Sequence, residues 1–201
     1  MSSGDFAMIK SGVVTTKATN RPSISARGVY LRAGKWYFEI NIITPGRAFV
    51  GWDEALNKGN SVAAPGIGVC AHSWGLDGFK THSQLTLYDK REEDSTLPLR
   101  DDGRGAPWAR GDVIGCCVSI GTDSKADMSF YRNGDLISPG FQRVQFDRAL
   151  CPVVSFDREF TFVVNFGTSA FRQVVPKGAR SPHYWARQQV RCCTVLRHAS
   201  H

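Results

Sequence analysis

Hydrophobic residues recur along this chain with a period of two. Trp36, Phe38, Ile40 and Ile42 point one way while Tyr37, Glu39 and Asn41 point the other, the alternation of a half-buried strand. The pattern returns at Ala48, Val50 and Trp52, at Ile114, Cys116, Val118 and Ile120, and at Met128 and Phe130. It appears again at Leu150, Pro152, Val154 and Phe156, and most clearly at Phe160, Phe162, Val164 and Phe166. Helical spacing is absent from these stretches, so the pattern predicts antiparallel strands with one wet face each. Turn chemistry separates them. Asn133-Gly134 is a strong hairpin signal because both residues tolerate positive φ, and Gly34-Lys35, Pro45-Gly46, Arg110-Gly111-Asp112 and Pro139-Gly140 mark other joints. Residues 53–66 and 88–110 read as longer irregular segments, which in a compact domain are functional or disordered.

After Pro182 the period changes. Trp185, Gln189, Cys192 or Cys193, and Leu196 fit one helical stripe, so the end of the chain reads equally as a short helix packed on the sheets or as a frayed tail. The expected organisation is an N-terminal extension or first strand over 1–24, a β-sandwich over 25–175, and a basic tail or short helix over 176–201.

Composition agrees with one sizeable all-β domain. The 201 residues are 42% hydrophobic and 11% aromatic, enough apolar material for a substantial core, with 20 glycines and nine prolines spread along the chain. The net charge of +7 is uneven. Residues 1–159 carry 19 basic and 18 acidic side chains, whereas no acidic residue follows Glu159 and six cations do: Arg172, Lys177, Arg180, Arg187, Arg191 and Arg197. The basic character therefore belongs to the tail. The six cysteines, two pairs of them adjacent, form no regular disulfide framework. No charged-then-apolar leader follows Met1, and no apolar run approaches the ~18 residues of a membrane span. The expectation is an intracellular, cytoplasmic protein with reduced thiols.

An ordered set of motifs resembles the SPRY domain family. It runs through Gly34-Lys35-Trp36-Tyr37-Phe38-Glu39-Ile40, Val50-Gly51-Trp52 and Ser73-Trp74-Gly75-Leu76-Asp77-Gly78-Phe79-Lys80. It continues with Trp108-Ala109-Arg110-Gly111-Asp112-Val113-Ile114-Gly115-Cys116, Ser129-Phe130-Tyr131-Arg132-Asn133-Gly134, Pro152-Val153-Val154-Ser155 and Val164-Asn165-Phe166-Gly167. The match spans roughly residues 25–171, and the Trp-x-x-Asp-Gly-x-Lys form looks closest to the SPRY modules of ryanodine receptors and some large ubiquitin ligases. The resemblance implies a two-sheet antiparallel sandwich that binds other proteins through loops at one end and is not an enzyme. By position, the peptide-gripping surface of such domains corresponds here to Arg21 and Pro22, to His82, and to Phe156, Asp157 and Arg158. The first loop is shorter than in peptide-gripping members, and His82 stands where they carry Tyr.

The same motifs also have architectural readings. Trp36 and Trp52 fall on inward phases, Asp112 can bond neighbouring backbone amides in the turn after Trp108, and the Asn165 amide can tie down a loop. Trp74 is a candidate loop-borne anchor for a partner, weighed against packing its loop onto a sheet edge, and Asp77 with Lys80 reads as a loop-bracing pair. Cys70, His72 and His82 are the nearest mixture of metal ligands but lack zinc-site spacing, and Cys116 and Cys117 should lie on opposite faces. Asp101-Asp102-Gly103 reads as a solvated turn rather than a calcium loop, and Glu92-Glu93-Asp94 as a charged loop. No nucleophile elbow, phosphate-binding loop or metalloprotease helix is present. No cofactor is implied. The expected partner is a protein or short peptide rather than nucleic acid, held by the 20–27, 75–107 and 156–159 loops. The alternative is a nucleic-acid or anionic-surface binder acting through the basic tail.

Overall fold

The computed structural model describes residues 8–10, 13–15, 22–26, 28–54, 67, 72–78, 86–89, 95–96, 106–157 and 159–187. Their strands are β1 (Met8–Lys10), β2 (Val13–Thr15), β3 (Ser23–Ser25), β4 (Gly34–Thr44), β5 (Ala48–Glu54), β6 (Ser73–Asp77) and β7 (Thr86–Asp89). They continue as β8 (Ser95–Thr96), β9 (Val113–Ile120), β10 (Lys125–Arg132), β11 (Asp135–Ser138), β12 (Val144–Gln145), β13 (Leu150–Phe156) and β14 (Thr161–Asn165). One sheet has the order β1-β2-β14-β4-β9-β10-β11, with β12 also on β10, and the other β3-β13-β5-β6-β7-β8. The pairings are antiparallel, giving the two-sheet sandwich that the period-two pattern predicts.

The core lies between the sheets and is largely aromatic. Phe38 of β4 meets Trp52 of β5 edge-to-face at 5.2 Å, and Phe156 of β13 meets Phe162 of β14 in the same way at 5.0 Å. Trp36, Ile40, Ile42, Val50, Ile114, Cys116, Val118, Met128, Phe130, Leu150 and Val154 are buried around these pairs on the phases expected from sequence. A fully buried aromatic side chain contributes about 2–3 kcal/mol, so this layer supplies much of the driving force for folding. The β10–β11 hairpin turns at Asn133 and Gly134, whose φ values of 53° and 91° are those the dipeptide favours.

Three features depart from the period-two reading. Residues 73–77 form a strand inside the second sheet, between β5 and β7, and not a loop at its edge. The segment 88–110, read as irregular, contains the end of β7 and all of β8. Most consequentially, β4 has no wet face along its middle: Tyr37 is 1% exposed and Glu39 2%, although both point away from the inter-sheet core.

The returning chain after β14 covers that face. Phe171 packs edge-on against Tyr37 with ring centroids 5.0 Å apart, and the Arg172 amide donates to Glu39 Oε1 at 2.7 Å. Strand β14 pairs with β4 from Glu39 onward only, leaving the earlier edge of β4 open. The Arg180 segment fills it: the Tyr37 amide donates to the Arg180 carbonyl and the Arg180 amide to the Lys35 carbonyl, both at 2.9 Å. The Arg180 guanidinium lies over the Trp36 ring, 4.8 Å from its centroid. Asn165 ties down the intervening bend, donating to the Ser169 and Ala170 carbonyls and accepting from the Gly167 amide. Residues 182–187 are helical, and their Trp185 meets Tyr30 edge-on at 6.2 Å. The remainder of the expected helical stripe, from Gln189, lies outside the described residues.

Beneath this cover the Tyr37 ring crosses β9 at Gly115, where a Cβ would overlap the Tyr37 hydroxyl. Tyr37 is held by Phe171 and by Tyr131, so it has little freedom to withdraw. Gly115→Ala should therefore lower stability by about 1–3 kcal/mol, the usual cost of overpacking. A lowered urea midpoint with unchanged slope is the expected result.

Candidate interaction surface

The antiparallel register of β5 with β13 brings one end of the second sheet together. Ala48 pairs with Phe156 there, and the chain ends around this pair are fastened through backbone groups. The Asp157 amide donates to the Arg47 carbonyl at 2.9 Å, the Phe160 amide to the Asp157 carbonyl at 3.0 Å, and the Phe156 amide to the Pro22 carbonyl at 3.2 Å. Gly78 donates to the Ala48 carbonyl at 2.9 Å, and the Trp108 amide donates to Gly78 at 3.1 Å. These bonds need no particular side chain, so the rim is rigid while its exposed chemistry is free to vary.

Trp108 seats the long connection onto this end. A Cβ at Gly78 would collide with its indole ring, which also lies 6.4 Å from the ring of Phe160. Behind it, Asp112 organises a polar hub. Its carboxylate accepts the Ala109 amide at 2.7 Å and the Asn133 side-chain amide at 2.9 Å, and pairs with the Arg132 guanidinium at 2.6 Å. Arg132 also donates to the Ala106 and Pro107 carbonyls, and Asn133 Oδ1 accepts the Val113 amide. One carboxylate thus joins the Trp108 turn to the β10–β11 hairpin. Burial opposes ionisation of Asp112, but the Ala109 amide, the Arg132 guanidinium and the Asn133 amide outweigh it and hold the carboxyl below the usual carboxylate range.

The positions expected to touch a partner divide into three groups. Phe156 is fully buried against Phe162 and supports the rim from beneath, whereas Trp74 is fully buried opposite Trp52, towards the other end of β5 and away from the rim. Trp74 is buried because its side chain faces the inter-sheet core beside Trp52. Pro22 and Asp157, both half-buried, are brought together at the rim by the Phe156 and Asp157 backbone bonds. Arg21, His82 and Arg158 lie outside the described residues.

The sequence reading missed Arg47, which the Ala48–Phe156 register sets beside Asp157. Its guanidinium lies 5.5 Å from the centre of the Phe49 ring, and its buried Nε has no hydrogen-bond partner among the described residues. Phe49, Ile67 and Val153 make a small second cluster on the outer face of the sheet, where the Ile67 amide donates to Ser155 Oγ at 3.0 Å. Ser155 Oγ also bonds Ser23 Oγ at 2.6 Å. The Pro45-Gly46 turn signal placed Arg47 at a strand start, but only the cross-strand register could place it beside Asp157.

At the opposite end of β5, Glu54, His72 and Asp147 bring potential ligand atoms within 4.8 Å of one another. Cys70 and His82, expected to be nearest to His72 among metal-binding types, are outside the described residues. Cys116 and Cys117 are buried on successive strand positions, where burial pushes both thiols up, Cys117 to about 11. In the basic tail, Arg180 is held by Trp36 and Tyr184, while Arg191 and Arg197 are not described. No helix among the described residues is long and apolar enough to cross a membrane.

Comparison with known proteins agrees with this architecture. The SPRY domain profile matches residues 35–169. The E3 ubiquitin-protein ligase RKP of Arabidopsis thaliana is 26% identical over 180 residues, covering 86% of this chain and 12% of that protein. The chain therefore corresponds to a small part of that relative's length. A crystal structure of a human SPRY domain superposes with a TM-score of 0.58 at 17% identity, covering 82% of this chain and 97% of that one, a likeness of fold.

Asp112 gives the hub a definite pH dependence. Because its folded pKa is depressed, its stabilisation is fully present above the unfolded carboxylate value and is lost as pH falls through the folded one. Asp112→Asn should cost about 2 kcal/mol near neutral pH, the scale of a hydrogen bond to a charged group. The gap between wild type and variant should narrow as denaturation is repeated at progressively more acidic pH.

Proposed function

Since the chain belongs to the SPRY domain family, whose members are generally protein–protein interaction modules rather than catalysts, we propose that it recruits a partner protein through the rim around Pro22, Arg47 and Asp157. The observation that carries this reading is the pairing of a rigid backbone with varied exposed chemistry. Backbone bonds fasten the ends of β3, β5 and β13, while Arg47 and Asp157 bring opposite charges to adjoining turns. A pre-formed surface of this kind binds a short segment with little ordering cost on its own side.

Arg47 is the proposed recognition residue. Its guanidinium offers a planar set of donors at the rim beside Asp157. The proposed ligand is an extended peptide segment carrying an acidic side chain or backbone carbonyl to Arg47 and a basic or amide donor towards Asp157. Phe156 supports the surface in this proposal, and Arg21, His82 and Arg158 remain proposed contacts.

A random peptide display library selected on the purified domain tests the reading. Selected peptides should be enriched in acidic residues, and their affinity should fall at least ~10-fold with Arg47→Glu, about 1.4 kcal/mol, while the variant keeps a cooperative melting transition. Failure to select any peptide, or selected peptides that bind Arg47→Glu and Asp157→Lys as well as wild type, would remove the rim from consideration.

A further inference from the structure

The far end of the same sheet carries a second constellation of chemistry. Glu54 is the last residue of β5, His72 immediately precedes β6, and Asp147 lies in the turn before β13. Strand pairing sets all three: Asp53 of β5 faces Ser73 of β6, and Glu54 faces Leu150 of β13. His72 Nδ1 stands 3.0 Å from Glu54 Oε1, which also accepts the Asp147 amide at 3.1 Å, and the Glu54 amide donates to the His72 carbonyl at 3.0 Å. One ligand atom from each residue falls within a 4.8 Å group.

We propose that Glu54, His72 and Asp147 form a binding site for a zinc-like divalent cation at the end of the sandwich opposite the interaction surface. Zinc bonds imidazole nitrogen and carboxylate oxygen at about 2.0–2.2 Å, which spaces tetrahedral ligand atoms about 3.3 Å apart. The His72–Glu54 separation is already near that value. Asp147 is exposed, so a change of its rotamer can close the remaining distance without disturbing the core.

Two further observations favour a cation. Glu54 is only 4% exposed at the end of β5, so packing holds its carboxylate in place beside His72. The Asp147 amide orients its oxygen, the kind of outer support that fixes a metal ligand in place. An imidazole combined with carboxylates selects zinc, cobalt or nickel over magnesium and calcium, which prefer all-oxygen sites. Three protein ligands leave a fourth position for water or a side chain from a bound protein.

The site is independent of the peptide-binding reading. Ala48 and Glu54 lie at opposite ends of β5, about 20 Å apart at ordinary strand rise. The sequence reading did not find it because the three residues are spread over nearly a hundred positions and have none of the short spacings of zinc motifs.

The test uses the full chain, stripped with a chelator and titrated with zinc chloride under reducing conditions by calorimetry and thermal melting. One equivalent should bind and raise the melting temperature, whereas magnesium or calcium at equal concentration should not. His72→Ala and, separately, Asp147→Asn should each weaken binding at least ~10-fold. Asp147 is exposed, so its variant should retain the unliganded melting temperature and keeps the test decisive if His72→Ala folds poorly. Zinc binding that survives both variants but disappears when Cys192, Cys193, His198 and His201 are replaced would overturn the proposal. So would absence of binding by the folded wild-type chain, or an equal response to magnesium.

Discussion

The structure depends on a strand buried on both sides. The inward face of β4 supplies Phe38 to the inter-sheet core, while its outward face carries Tyr37 and Glu39 beneath the returning chain. Burying Tyr37 and Glu39 favours pairing of both strand edges and of these polar side chains, because an unpaired buried polar group costs more than a hydrogen bond returns. Strand β9 takes one edge, β14 and the Arg180 bridge share the other, and Arg172 and Tyr37 donate to Glu39. The basic residues nearest the sandwich therefore include architectural ones. Arg180 closes a sheet edge through its backbone and stacks on Trp36 through its side chain.

With the first sheet fixed in this way, the second presents its two ends. The β5–β13 register decides what stands at each: Arg47 and Asp157 at one, Glu54 and Asp147 at the other. The chemistry differs accordingly. The first end combines backbone locks with separated charges and suits an extended chain, while the second concentrates carboxylates around one imidazole and suits a compact cation. Between them, Phe49, Ile67 and Val153 form a small apolar cluster on the outer face.

The Asp112 hub connects the sheets where sequence motifs are densest. Asp112 closes the turn before β9, Arg132 ends β10 and Asn133 begins the following turn, so three polar residues hold a junction that carries the Trp108 indole. Their roles are geometric, and they would serve any ligand preference. This is why an ordered motif set identifies the family while leaving the bound partner to the residues between the motifs.

By itself, the sequence determined the class of fold, the inward phase of most strands, the Asn133-Gly134 hairpin, the turn role of Asp112 and the loop-tying role of Asn165. Each is a local property of alternation, allowed φ or a short hydrogen bond, readable within a few residues. Tertiary structure decided what depends on distant register. It made Trp74 a strand residue inside a sheet, gave β4 a second buried face, set Arg47 beside Asp157, and gathered Glu54, His72 and Asp147. Alternation tells which face a residue occupies, but it carries no information about what lies across that face. Only the pairing of remote strands and the path of the returning chain supply that.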